Sequence, residues 1–287
     1  ANSGMKLCRF DDDRLGLVEG DAVRDVTAAL DGLPRHAYPL PRFDPLIANL
    51  AAVRKRVQEI ASGAPARPLA KVRLLSPVAN PGKIVGAPVN YKKHIEEARA
   101  DPGIHHQNPI AEIQKIGLFL KATSSLVGPG EGVALRHLER RNDHEVELAV
   151  IIGKAGTNIP RARAFEHVAA YCIGLDMTVR GPEERSLRKS VDGFTVLGPW
   201  LVTADAIPDP AALELSISVN GEPRQKANTR ELILSIPELI EFATSFYTLH
   251  PGDVILTGTP EGVGPVRPGD RMVAEIQGIG RMEVAVR

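Results

Sequence analysis

Asp143-His144-Glu145-Val146-Glu147-Leu148-Ala149-Val150-Ile151-Ile152-Gly153 joins a polar head to an unbroken apolar tail. The tail, Leu148 to Ile152, falls far short of the ~20 residues that cross a bilayer, and it reads as a buried strand. Glu145 and Glu147 stand at i and i+2, so in a strand both side chains leave the same face. Two carboxylates on one face, running into a core strand, repel each other and lose hydration unless a cation lies between them. A hard divalent ion with oxygen ligands, Mg²⁺, Mn²⁺ or Ca²⁺, answers that cost. The plain alternative is an edge strand with its Glu face in water.

A second apolar run, Ala169-Ala170-Tyr171-Cys172-Ile173-Gly174-Leu175-Asp176-Met177-Thr178, also ends in an acid. Taken alone, an Asp at a strand end such as Asp176 is usually a turn or cap residue. Taken with Glu145 and Glu147, it completes a three-carboxylate site with positions left open for water and substrate. Upstream, Lys83-Ile84-Val85-Gly86-Ala87-Pro88-Val89-Asn90-Tyr91-Lys92-Lys93-His94-Ile95-Glu96-Glu97 predicts a strand, a turn and a polar helix. His94 and Glu97 are then neighbours on one helix face. A carboxylate beside an imidazole orients it and raises its basicity, which suits activation of water; a solvent-exposed ion pair is the alternative. Lys121, in Phe119-Leu120-Lys121, and Lys189, in Arg188-Lys189-Ser190, each precede a tight turn. Either lysine can hold an anionic substrate group or simply snorkel at the surface. Leu256-Thr257-Gly258-Thr259-Pro260 follows a strand, and its backbone N–H groups and hydroxyls suit an anion as well as they suit a turn.

The rest of the chain frames these segments. Its 287 residues carry 35 Lys and Arg against 35 Asp and Glu, so the net charge is zero and gives no electrostatic footprint for nucleic acid or an acidic membrane. No positively charged leader followed by an apolar core opens it. Met5 reads as the native start behind a tag-like Ala1-Asn2-Ser3-Gly4 remnant, which is set aside. Cys8 and Cys172 are far apart and form no C-x-x-C, consistent with buried, unpaired thiols in a reducing cytoplasm. Residues 5–30 alternate short apolar runs with acidic and Gly turns, predicting a small antiparallel sheet. Asp44 to Ile60 fits an amphipathic helix opening at Asp44-Pro45. The Pro-rich stretch 61–68 reads as a linker, dividing a small N-terminal β/α domain, 5–70, from a larger domain, 71–287. In the larger part many short strands alternate with Pro/Gly clusters, and helices are expected only near 91–100, 161–170 and 235–247. That is an α+β pattern with no regular βαβ alternation. No dinucleotide or Walker A glycine motif follows a strand.

Taken together, the segments resemble the fumarylacetoacetate hydrolase family. The resemblance covers roughly residues 83–287 and runs in order through K-I-V-G-x-x-x-N-Y-x-x-H-x-x-E, F-L-K-x-x-S-S-L-V-G-P-G, D-H-E-V-E-L-A-V-I-I-G-K, G-L-D-M-T-V-R, L-G-P-W-L-V-T, V-N-G-E-x-R-Q and P-G-D-V-I-L-T-G-T-P-E-G-V-G. It implies a mixed β-sandwich-like roll as the catalytic domain, usually a homodimer, with one Mg²⁺ or Mn²⁺ ion per chain. It implies that Glu145, Glu147 and Asp176 ligate the metal, that His94 and Glu97 activate water, and that Lys189 polarises substrate oxygens. Thr259 matches the pocket-lining T-G-T-P position, and Lys121, Arg180 and Gln225 are further expected substrate-binding residues. This chain departs from the pattern in four places. The segment Gly86-Ala87-Pro88-Val89-Asn90 is one or two residues longer than the usual G-x-N-Y. The stretch from Asp176 to Lys189 is short. Glu183 stands where glutamine is expected, an acid that would repel a substrate carboxylate or face solvent. Arg99 to Ile116, with His105-His106, forms an extended lid-like loop.

The reading that follows is a metal-dependent hydrolase that cleaves a carbon–carbon bond in a small anionic oxo acid, a 2,4-diketo acid of the acylpyruvate or fumarylpyruvate type. The same metal would also serve an isomerase or decarboxylase of an unsaturated oxo diacid in aromatic catabolism, which needs a proton shuttle but no attacking water. A non-catalytic metal-binding module is the third reading; retention of the three acids with His94, Glu97 and Lys189 argues against it.

Overall fold

The structure, a computed structural model, describes residues 4–287; the tag-like remnant, Gly4 apart, lies outside them. The strands that organise it are β1 (Lys6–Phe10), β2 (Arg14–Glu19), β3 (Ala22–Asp25), β4 (Ile84–Gly86), β5 (Phe119–Lys121), β6 (Val146–Ile152), β7 (Val168–Asp176), β8 (Thr195–Thr203), β9 (Glu214–Val219), β10 (Glu222–Asn228), β11 (Val254–Leu256), β12 (Arg271–Ile276) and β13 (Gly280–Ala285). A large mixed sheet runs from the short strand Ala66–Pro68 through β3, β2, β1, β8, β7, β6, β11 and β4 to β5. A four-stranded sheet, ordered β10, β9, β12, β13, packs beside it. The fold is mixed α+β and, as expected, shows no βαβ alternation.

Every residue of β6 and β8 is buried. A strand covered on both faces is a continuous apolar run rather than an alternating one, which is why Val146 to Ile152 lacks the period-two signature. β6 and β7 pair antiparallel, with Val146 opposite Leu175 and Ala149 opposite Cys172. That register brings the start of β6 beside the end of β7, where the acids lie.

The N-terminal segment joins the same sheet. Lys6 and Leu7 of β1 pair with Val202 and Leu201 of β8, and Cys8, Phe10, Val18 and Val23 share a core cluster with Val146 and Leu148. The helix expected over 44–60 is broken into Pro45–Ala48 and Leu50–Ile60, and Asp44 caps the first turn by accepting from Ile47 N at 3.0 Å. The helix expected over 161–170 is a 3₁₀ helix over Arg161–His167, after which Val168 enters β7 opposite Ile152. Sheet pairing overrides helical pattern at that junction. The other two expected helices occupy Lys92–Ala100 and Ile236–Phe246. No helix among the described residues is long and apolar enough to cross a membrane.

Candidate active site

Glu145, Glu147 and Asp176 each offer a carboxylate oxygen, and these atoms all lie within 4.8 Å of one another. All three residues are buried. The register of β6 and β7 brings them together, and Asp176 N donates to Glu145 O at 2.9 Å. Glu147 also accepts from Gly258 N at 2.9 Å. Gly258 has φ +115°, and a Cβ there would stand 2.7 Å from Asn90 Cβ, so only glycine brings this amide so close.

Cations surround the cluster unevenly. Lys189 Nζ donates to Glu145 Oε1 at 3.1 Å, Asp176 Oδ2 at 3.0 Å and Thr178 Oγ1 at 2.8 Å, which uses all three of its N–H groups. Lys121 Nζ donates to Asp176 Oδ1 at 2.5 Å and Phe194 O at 2.6 Å. Arg180 bridges Glu145 Oε2, at 3.0 Å, and Asp143 Oδ2, at 2.9 Å. Glu147 has no cationic partner among the described residues. Burial, then the charges of Asp176 and Glu145, push its carboxyl well above the ordinary range. Burial also acts to raise Asp176, but Lys121 and Lys189 outweigh it and hold that carboxyl below the ordinary range. Three converging carboxylates, one of them buried without a counter-charge, fit a hard divalent cation.

Across the cavity, on the helix Lys92–Ala100, His94 Nδ1 lies 2.9 Å from Glu97 Oε1, and Glu97 Oε2 accepts from Gly262 N at 2.9 Å. An ionised carboxylate only accepts, so in a neutral imidazole at this place Nδ1 would carry the hydrogen and Nε2 would be the unprotonated edge. His94, Glu145, Arg180, Lys189 and Thr259 line one cavity of about 460 Å³.

The remaining expected residues take positions that the sequence did not disclose. Lys121 is enclosed behind Asp176 and does not line this cavity. Gln225 lies behind the wall too. Its Oε1 accepts from Val146 N at 3.1 Å and stands 3.0 Å from His144 Nδ1, while its Nε2 donates to Thr259 Oγ1 and Pro260 O, both at 2.8 Å. Thr259 Oγ1 in turn donates to Val146 O at 2.8 Å. Gln225 and Thr259 therefore clamp the peptide groups between two of the acids. Glu183 is closed in a two-pronged pair with Arg140, at 2.9 and 2.6 Å, which lowers its carboxyl to about 2. The expected loop at 99–116 contains the short helices Pro102–His105 and Ile113–Ile116, and His105 and His106 join no metal-binding group among the described residues. Sequence reasoning passed over Asp143, which accepts from both Arg141 Nε, at 2.8 Å, and Arg180 Nε. The available signal was the i, i+2 spacing of Arg141 and Asp143 immediately before the acid motif.

A mixed fold carrying a buried three-carboxylate cluster opposite a carboxylate-bound histidine defines a class, and comparison with known proteins names it. Residues 83–287 match the family described as fumarylacetoacetate (FAA) hydrolase, C-terminal, and the chain belongs to the fumarylacetoacetate hydrolase family. Maleylpyruvate hydrolase of Aquipseudomonas alcaligenes is 62% identical over 287 residues, covering 99% of each chain. The crystal structure of maleylpyruvate hydrolase from Sphingobium sp. SYK-6 in complex with manganese(II) ion and pyruvate superposes with a TM-score of 0.84, at 42% identity and 98% coverage of each chain. The human mitochondrial oxaloacetate tautomerase FAHD2A is 37% identical over 246 residues, covering 81% of this chain and 74% of that one.

Proposed function

We propose that this chain is a divalent-metal-dependent hydrolase that cleaves the carbon–carbon bond of acylpyruvates, with maleylpyruvate or a close analogue as substrate. The observation that carries this reading is that His94, held by Glu97, lines the same cavity as Glu145 of the acid cluster. A bare imidazole edge held opposite an oxo-acid site supports an attacking water. The full-length likeness to maleylpyruvate hydrolase, well above that to the tautomerase, supports hydrolysis over tautomerisation.

Glu145, Glu147 and Asp176 would hold one Mg²⁺ or Mn²⁺ per chain. A bound divalent ion supplies Lewis acidity to the 2-oxo acid end of the substrate. His94 Nε2 takes a proton from water while Glu97 fixes the ring and balances the imidazolium. The water oxygen adds to the carbonyl carbon remote from the oxo acid. The bond between that carbon and its methylene neighbour then breaks, and its electron pair goes to the pyruvate fragment as an enolate. Lys189 adds fixed positive charge beside the developing negative charge. The proton held on His94 passes to the enolate carbon to give pyruvate, and the carboxylic acid formed at the other carbon releases its proton to solvent as the carboxylate. The same reading takes residues 5–70 as a small N-terminal domain, 71–287 as the catalytic domain, and the protein as a cytoplasmic homodimer.

The test is turnover of a panel of acylpyruvates, oxaloacetate and unsaturated oxo diacids with Mg²⁺, with Mn²⁺ and with chelator, in ¹⁸O-labelled water. Label in the released carboxylate, lost with chelator and with Glu147→Ala, is the expected result. Turnover without incorporated label favours a tautomerase or decarboxylase. His94→Asn is expected to lower kcat by about 10²- to 10⁴-fold with metal binding retained.

A further inference from the structure

Four cations, Arg180, Arg185, Arg188 and Lys189, and three acids, Glu145, Glu183 and Glu184, line the cavity in front of the acid cluster. Of its cations, Arg180 is paired with Asp143 and Glu145, and Lys189 with Glu145 and Asp176. Of its other acids, Glu183 is paired with Arg140, and Glu184 caps its own helix by accepting from Ser186 N at 2.8 Å. Arg185 and Arg188 remain. Among the described residues neither pairs with a carboxylate. Arg188 donates only to the carbonyl oxygens of Glu183, at 2.8 Å, and Val179, at 3.4 Å. Arg185 makes no hydrogen bond to the described chain, and its guanidinium carbon lies 5.9 Å from the centroid of the Phe119 ring. Burial depresses the basicity of both groups, with Glu145, Asp176 and Glu184 acting against it at Arg185, and with Arg180 and Arg185 adding to it at Arg188. The two arginines stand at i and i+3 of the helix Arg185–Lys189 and so share a face.

An underneutralised, partly dehydrated pair of guanidinium forks matches a planar carboxylate. The Phe119 ring also fixes its distance from the chemistry. Lys189 Nζ, which touches Glu145 and Asp176, lies 4.9 Å from the same ring centroid. The ammonium and the Arg185 guanidinium are therefore separated by no more than the sum of 4.9 and 5.9 Å. The terminal carboxyl carbons of a seven-carbon diacid, six bonds apart, span ~7 Å when extended. With the oxo-acid end at the acid cluster, a chain of that length together with one carboxylate–guanidinium hydrogen bond covers this separation.

We propose that Arg185, with Arg188 beside it, binds the remote carboxylate of the substrate, so that the enzyme selects dicarboxylic acylpyruvates over those with neutral tails. The proposal rests on the acylpyruvate reading. Its test compares wild-type, Arg185→Gln, Arg185→Lys and Arg188→Gln proteins on maleylpyruvate and on butanoylpyruvate, and titrates each metal-free protein with maleate and with its monoacid counterpart isocrotonate. In Arg185→Gln the ratio of kcat/KM for the diacid over the neutral-tailed substrate is expected to fall about tenfold or more, mainly through KM, with partial rescue by lysine. Maleate is expected to bind wild type more tightly than isocrotonate does, and to lose that margin in the glutamine variants. An unchanged ratio, or equal losses on both substrates, overturns the proposal. A wild-type protein that cleaves no acylpyruvate refutes the functional reading instead, and the maleate arm then decides alone: maleate held no better than isocrotonate overturns the anion site. Should Arg185→Gln fail to fold, Arg188→Gln and Arg185→Lys carry the same comparison.

Discussion

Val146 lies between Glu145 and Glu147, and side chains hold its peptide on both sides: Gln225 Oε1 accepts from its N–H, and Thr259 Oγ1 donates to its carbonyl. The spacing of the two acids therefore depends on residues that never touch the cavity's contents directly or do so only at its edge. Gln225→Ala is expected to weaken Mn²⁺ binding about tenfold to a hundredfold with every carboxylate in place, as read by calorimetry; unchanged affinity would mean the strand holds itself. The acids were legible because i, i+2 carboxylates before an apolar run conflict with burial. The clamp was not, because Gln225 lies 79 residues from Val146 and a lone glutamine on a strand carries no periodic signal. Lys121 shows the same blindness: a lysine in an apolar strand must find acceptors, yet only the fold reveals that they lie behind Asp176 and not in the cavity. The two thiols make a further residue-scale prediction. Burial pushes Cys8 and Cys172 from 9.0 up to about 12. The folded protein keeps protons that the unfolded chain releases above pH 9, so these groups favour unfolding as pH rises from 9.0 towards 12. Urea melts at pH 8 and pH 10 should show an alkaline loss of stability that is smaller in Cys172→Ala, and neither native thiol should react with a thiol reagent at pH 8.

Elements were legible where pattern and pairing agree. The helix at Ile236–Phe246 opens with a capping box, Ser235 accepting from Glu238 N and Glu238 answering Ser235 N, and its span matches the sequence reading. The stretch at 161–170 was not, because Val168 to Ala170 are more strongly claimed by Ile152 and Ile151 across the sheet. Turns connecting elements are joined by single polar side chains that no local rule finds. Asn90 is the clearest: fully buried, its Nδ2 donates to Leu234 O at 2.9 Å and Thr257 O at 2.8 Å, and its Oδ1 accepts from Leu234 N at 2.7 Å. It ties the segment after β4 to the entry of the Ile236 helix and to the turn that carries Gly258 and Thr259. Asn90→Ala leaves three buried backbone groups without a partner and should cost about 3 kcal/mol in urea unfolding. A loss below ~1 kcal/mol would show that these groups find other partners.

At the scale of the molecule, the large sheet crosses the boundary that composition suggests near residue 70. β1 is hydrogen-bonded to β8, and Met5 N donates to Thr203 Oγ1 at 2.8 Å. Removing residues 1–70 would bare the edge of β8 and empty part of the core that backs β6. The expected outcome is a fragment that aggregates, while the whole chain melts in one transition followed through Trp200, its single tryptophan, which is packed against Gly280 and bonded to Ile279 O. A fragment 71–287 that folds and turns over would show that the N-terminal part is an appendage. The Pro-rich stretch marks an exposed connection, and an exposed connection joins two parts of one sheet as well as it joins two separate bodies. One consequence of the acid cluster reaches beyond the molecule. Its donors are carboxylates alone, with no imidazole or thiolate among them to discriminate between magnesium and manganese. On the proposed reading the choice of occupant falls to ionic supply: cells starved of manganese are expected to yield magnesium-filled protein, with turnover that follows the growth medium, as metal analysis of protein from the two media would check.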